Sequence, residues 1–183
     1  MKRWALLSGA RGTGKSTTTR RVAERLAERG VRVGGFYQEG VTEEGIRTAY
    51  HLRRFGAEGH LTLARLGSAA ATGQEAFCSY VFDEGAFAEA RRWLDEASST
   101  AEILFIDEVS KLEVAGRGHH DTIVAALGGD RLVLLAVRAD QLFFVMERFG
   151  LDEPVASLDT AERDDIEPFC DELHAALRGA EVP

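Results

Sequence analysis

The stretch Gly9-Ala10-Arg11-Gly12-Thr13-Gly14-Lys15-Ser16 decides the fold. Its spacing, GxxxxGK[ST], is that of a loop that wraps phosphate groups. The glycines let the backbone turn with its N–H groups facing inward, and the helix that follows adds positive potential at its N-terminus. Lys15 reaches the β and γ phosphates, and the Ser16 hydroxyl sits on Mg²⁺, a hard cation that takes oxygen ligands and keeps several waters. The nucleotide-binding set is Gly9, Ala10, Arg11, Gly12, Thr13, Gly14, Lys15, Ser16 and Thr17, with the backbone N–H of Arg11 mattering more than its side chain. With this chain's own residue frequencies, chance supplies only about 0.003 such matches.

The flanks supply the context this motif needs. Trp4 to Ser8 is a short apolar run, read as a strand, and Lys15 to Arg29 places Val22, Ala23 and Leu26 on one helical face before Gly30 closes it. Val31 to Tyr37 reads as a second strand. Glu39 to Phe55 reads as a hairpin around Thr42-Glu43-Glu44-Gly45, and Glu58 to Gln74 as irregular structure. A strand over Ala76 to Phe82 is followed by a helix marked by Phe87, Ala90 and Leu94. The alternation continues with a strand at Glu102 to Ile106, a helix at Asp121 to Leu127, a strand at Arg131 to Val137, a helix lined by Leu142, Val145, Met146 and Phe149, and a last helix near Asp165 to Leu177. Continuous apolar strands alternating with helices predict an α/β fold, a parallel sheet covered on both faces. The 183 residues suffice for a single domain spanning 1–183, with no internal repeat or linker.

Composition bounds the partners. Thirty acidic against 22 basic residues leave a net charge of −8, which disfavours a nucleic-acid backbone as partner. Apolar runs of strand length exclude a membrane span, and Cys78 and Cys170, far apart and outside any metal-ligand pattern, read as reduced thiols of a soluble cytoplasmic protein. No protein partner is legible. Only Lys2, Lys15 and Lys111 are lysines, against 19 arginines, so Lys15 stands where a compact ammonium is needed among phosphate oxygens.

A second constellation, Ile103-Leu104-Phe105-Ile106-Asp107-Glu108, is an apolar strand ending in two carboxylates. Asp107 takes the role of the strand-end acid that holds Mg²⁺, and Glu108 that of the base that orients an attacking water. Arg138, after the strand ending at Val137, is a candidate cis arginine for the γ phosphate. Glu39 and Arg47, at the ligand-binding edge of an open α/β sheet, are candidates for positioning water or a second substrate, with a surface ion pair as the alternative. His119 and His120 read as exposed loop residues, Phe143, Phe144 and Phe149 as core, and the acidic run Asp159 to Asp171 as a solvated helix face.

The loop at 9–16, Gly35-Phe36-Tyr37-Gln38-Glu39 leading to Gly45-Ile46-Arg47, Tyr80-Val81-Phe82-Asp83 with Phe87, and Ile106-Asp107-Glu108-Val109-Ser110-Lys111-Leu112-Glu113 together resemble the small nucleoside-triphosphatase family sometimes called cancer-related nucleoside triphosphatases. The resemblance covers residues 4–150. It implies a three-layer P-loop fold, similar to RecA-type ATPases, with a mostly parallel central sheet and a hairpin near 35–55. It also implies slow, Mg²⁺-dependent hydrolysis of ATP, GTP and other nucleoside triphosphates with little base selectivity. Two departures, Ser110 in place of glycine and Ala49-Tyr50 in place of Gly-Phe, fall beyond the phosphate chemistry. Hydrolysis to diphosphate and phosphate is the first reading. A nucleotide or small-molecule kinase and a nucleotide-gated switch share the same loop and acids and are the alternatives.

Overall fold

One eight-stranded sheet, with strand order β5-β4-β3-β2-β6-β7-β1-β8, organises the chain in a computed structural model that describes residues 2–67, 80–162 and 166–179. Its strands are β1 (Trp4–Gly9), β2 (Val33–Glu43), β3 (Ile46–Arg54), β4 (Leu61–Leu66), β5 (Tyr80–Phe82), β6 (Ile103–Val109), β7 (Leu132–Arg138) and β8 (Ser157–Asp159). The helices are α1 (Lys15–Glu28), α2 (Glu84–Ser98), α3 (Lys111–Val114), α4 (His120–Leu127), α5 (Leu142–Phe149) and α6 (Glu167–Arg178). Strands β2, β6, β7, β1 and β8 pair in parallel, and β3, β4 and β5 extend the sheet antiparallel beyond β2.

The parallel strands are buried throughout, and the period of two sorts their side chains between two cores. On β1, Trp4 and Leu6 face one way, joined by Leu104 and Ile106 of β6 and Val133, Leu135 and Val137 of β7, against α2, α4 and α5. Ala5 and Leu7 face the other way with Ile103, Phe105, Leu132 and Leu134, against Val22, Ala23 and Leu26 of α1 and Phe169, Cys170 and Leu173 of α6. A helix layer therefore covers each face, as the sequence pattern predicts.

The expected second strand and hairpin are continuous. β2 pairs in parallel with β6 over Val33 to Phe36, then antiparallel with β3 as far as Glu43. Glu44 and Gly45, at φ 49° and 80°, make the two-residue turn, the pair of positive φ values that suits a tight hairpin. Gly35 is required where β2 runs beside β6: its φ is 100°, and a Cβ there would sit 2.1 Å from the Phe105 carbonyl oxygen.

Three expectations are corrected here. The stretch 58–74 is not irregular throughout, since Leu61–Leu66 forms β4, with Leu63 and Ala64 buried against the sheet. Its glycine- and alanine-rich surroundings hide a strand that pairing with β3 and β5 creates. Residues 68–74 of that stretch, 76–79 of the expected strand, Cys78 and Asp165 lie outside the described residues. Phe143 and Phe144 are not core: they are 71% and 49% exposed on the outer face of α5, while Val145 and Phe149 are buried and Leu142 and Met146 pack against the same core. The acidic run is not simply solvated: Glu167 and Asp171 of α6 pair with Arg25 and Arg29 of α1, and Asp159 accepts hydrogen bonds from Ser8 Oγ at 3.1 Å and Ala161 N at 2.8 Å. Lys2, which the sequence leaves without a role, donates to the Phe149 carbonyl at the end of α5. Cys170 is a buried free thiol whose pKa burial pushes up to about 11. Among the described residues no helix is long and apolar enough to cross a membrane.

Candidate active site

The carboxyl ends of the parallel strands bring the chemistry to one edge, where open α/β sheets bind ligands. Gly9 closes β1 opposite Arg138 of β7, and Asp107 of β6 pairs with Ala136 of the same strand. From Gly9 the chain turns through Gly12 at φ 77° and Gly14 at φ 88° before α1 begins at Lys15. Both glycines hold left-handed backbone that other residues rarely adopt.

A cavity of ≈ 530 Å³ opens along this edge, bordered by Arg11, Gly12, Gly14, Lys15, Ser16 and Thr17 of the loop, by Glu108 and Arg138, and by Glu39 and Arg47. The structure thus brings the candidate residues to one concavity. Gly9, Ala10 and Thr13 support it from behind. The Ala10 carbonyl accepts from Lys15 Nζ at 3.2 Å and from Thr13 Oγ1 at 2.8 Å, while Thr13 Oγ1 lies 2.6 Å from Thr160 Oγ1. A Cβ on Gly9 would come within 1.9 Å of Thr160 Oγ1. Thr160 and Asp159, with no motif of their own, hold the loop to the strand β8 that flanks it.

Lys15 is only 4% exposed, and its ammonium lies 3.5 Å from Glu108 Oε1. Asp107 is fully buried. Its Oδ2 accepts from the Gln38 backbone N–H at 3.0 Å, and its Oδ1 has no hydrogen-bond partner. Burial first, and the neighbouring Glu108 carboxylate second, raise the Asp107 pKa, while the Ser16 hydroxyl, the Gln38 N–H and Lys15 favour its charged form. An orphaned carboxylate oxygen beside a serine hydroxyl fits a hard divalent cation that takes oxygen ligands and completes its shell with phosphate and water. Ser16 and Asp107 are the residues that would hold it.

The remaining candidates differ in freedom. Glu39 accepts from Arg53 Nε at 2.6 Å, a surface ion pair with a different arginine from the Arg47 that the sequence offered as its partner. Arg47 does not pair with Glu39: its Nε donates to Thr42 Oγ1 at 3.1 Å and its guanidinium lies 5.5 Å above the Tyr50 ring. Arg138 Nε donates to Asp140 Oδ1 at 2.9 Å, which fixes the guanidinium in the cavity wall.

His119 corrects the expectation of exposed loop histidines. It is 1% exposed, with its ring centroid 4.6 Å from that of Phe36 and 4.8 Å from that of Phe87, and burial lowers its pKa to about 3. His120 opens α4 and pairs with Asp121. Glu113, not assigned on its own from the sequence, anchors this region: its carboxylate accepts from Ser110 N at 3.0 Å and His119 N at 3.2 Å. The signal was present, since Ser110-x-x-Glu113 has the spacing of a helix-capping box. Burial raises the Glu113 pKa to about 7.

Comparisons with known proteins point to one family. A family model described as NTPase matches residues 5–168. The chain is similar to the nucleoside-triphosphatase THEP1 of Thermofilum pendens, 31% identical over 134 residues that cover 72% of this chain and 71% of the relative. It is also similar to THEP1 of Archaeoglobus fulgidus, 25% identical over 173 residues that cover 94% and 98%. The solution structure of a human cancer-related nucleoside triphosphatase superposes with a TM-score of 0.72 at 22% identity, covering 98% of this chain and 100% of that one, which supports the shared fold. With the family model spanning the phosphate loop, the acidic strand end and α6's first turn, the chain belongs to the NTPase family.

Proposed function

We propose that this protein hydrolyses nucleoside triphosphates, ATP and GTP among them, to the diphosphate and inorganic phosphate. The observation that carries the reading is the arrangement of the buried Lys15 and Asp107 with the half-buried Glu108 around one loop, with Lys15 Nζ 3.5 Å from Glu108 and one Asp107 oxygen left unpartnered. Backbone N–H groups of the loop from Arg11 to Thr17 cradle the phosphates, and Lys15 neutralises charge on the β and γ groups. Mg²⁺, when bound, supplies further charge neutralisation there, with Ser16 and Asp107 as its protein ligands. Glu108 accepts the proton of the attacking water and holds that water in line with the γ phosphorus. Arg138, fixed by Asp140, adds positive charge from the wall.

Nothing in this scheme reads the base, which agrees with breadth across nucleotides. Phosphate release from ATP, GTP, CTP and UTP, with Mg²⁺ and with chelator, tests it. The expected result is turnover of all four with kcat/KM values within about tenfold, lost on chelation. No release from any of them would overturn the proposal.

A further inference from the structure

The cavity is larger than water attack on a phosphate needs. The same cavity is also lined by Tyr50, Tyr80, Phe82 and Phe87, an aromatic recess, together with Arg47. The ring centroids of Tyr50 and Tyr80 are 5.2 Å apart in an edge-on arrangement, and those of Phe82 and Phe87 are 5.8 Å apart and stacked. The Tyr80 hydroxyl donates to the Arg47 carbonyl at 2.8 Å, which ties β5 to the hairpin strand that carries Arg47. Phe87 rests on the buried His119 ring, itself against Phe36, so the recess is backed by packed core. A hydrolase acting on a γ phosphate has no use for four aromatic rings at this point.

The recess shares its wall with Glu108, Ser110, Leu112 and Glu113, the segment at the γ-phosphate end. The base of a bound nucleotide is separated from that end by its own ribose and triphosphate, which leaves rings in the same cavity as Glu108 available to a second molecule. At ≈ 530 Å³ the whole cavity lies in the range of about 300–1,000 Å³ that encloses small organic ligands. Aromatic walls select a flat ring, offset-stacked or edge-on, and the nearby carboxylate selects a group with a proton to give.

We infer that the recess bordered by Tyr50, Tyr80, Phe82 and Phe87 is an acceptor site for an aromatic or heteroaromatic alcohol of nucleoside size, whose hydroxyl receives the γ phosphoryl group. The inference rests on the reading of the loop and Glu108 as a nucleoside-triphosphate centre. In the transfer, the bond between the γ phosphorus and the bridging oxygen breaks and its electron pair leaves with the nucleoside diphosphate. The acceptor oxygen forms the new P–O bond, and its proton passes to the Glu108 carboxylate and on to solvent. Water in place of the acceptor gives the hydrolysis described above.

The test uses the full chain with Mg²⁺ and ATP labelled in the γ phosphate. Two sets of acceptors are added: adenosine, guanosine, cytidine and uridine, and hydroxymethylpyridines, which carry a ring and hydroxyl without a sugar. Labelled phosphorylated acceptor is the expected product, and the set in which it appears identifies the acceptor as sugar-borne or ring-borne. Tyr80→Ala, and independently Tyr50→Leu, are expected to lower the ratio of transfer to hydrolysis by about tenfold or more, a ratio that partial unfolding leaves unchanged. Label found only in inorganic phosphate with every acceptor overturns the acceptor site and leaves the hydrolase reading standing. Label that stays in ATP overturns both. Transfer at an unchanged ratio in the two variants overturns the assignment of these rings.

Discussion

Lys15 is one of three lysines among 22 basic residues, and its environment gives a reason for the exception. The ammonium sits nearly sealed between the Ala10 carbonyl and Glu108, a geometry that suits a compact point charge and not a planar fork. Lys15→Arg is therefore expected to keep the charge yet lower kcat on the order of 10²–10³, as measured by phosphate release. Equal activity would show that charge alone suffices. Gly9 is constrained in a different way: Gly9→Ala drives a methyl into Thr160 Oγ1, 1.9 Å away, and is expected to cost about 1–3 kcal/mol in a denaturant titration. His119 and Glu113 set opposed pH dependences. Below about 6.5 an unfolded histidine takes up a proton that the buried His119 refuses until about pH 3, so its contribution to stability is lost as pH falls through that window. Glu113 holds its proton up to about 7 when folded but only to about 4.5 when unfolded, so its contribution falls as pH rises from 4.5 to 7. Thermal midpoints between pH 4 and 7 are expected to lose their acid-side decline, in part, in His119→Phe, and to decline more steeply with acid in Glu113→Gln, which lacks the opposing slope. Parallel profiles in either variant would contradict the assignment.

At the scale of elements, α6 is held to α1 by two kinds of contact of unequal weight. Glu167 joins Arg25 and Arg29 at 2.6 Å each, but these side chains are partly or well exposed. Phe169, 3% exposed beneath them, packs into the core shared with α1. Exposed ion pairs contribute about 1 kcal/mol or less, whereas truncating a buried phenylalanine costs about 3–5 kcal/mol. Glu167→Ala should therefore lower stability slightly, with the loss vanishing in high salt, while Phe169→Ala should lower it severely at any salt concentration. Denaturant titrations at two ionic strengths separate the two. The ion pairs account for the acidic run that sequence pattern alone reads as solvated, because charge spacing along one helix says nothing about arginines on another.

Over the whole molecule, the parts that follow local rules were legible and the parts made by tertiary contact were not. β1, β6 and β7 announce themselves as unbroken apolar runs, and the loop after β1 as a spacing that chance rarely produces. β4 does not, since its residues become a strand only through neighbours on both sides. The burial of His119 was invisible for the same reason: Phe36 lies on β2 and Phe87 on α2, far apart in the chain. Within the site, Lys15, Ser16, Asp107 and Glu108 could be named from spacing, whereas Thr160 and the Gln38 N–H carry no pattern that marks them. The account of the molecule as a hydrolase turns on Glu108. Steady-state phosphate release by Glu108→Gln, read beside the affinity for a non-hydrolysable ATP analogue, is the most direct test. The predicted result is a fall in kcat of about 10²–10⁴ with the analogue bound as tightly as before. An unchanged kcat would contradict it.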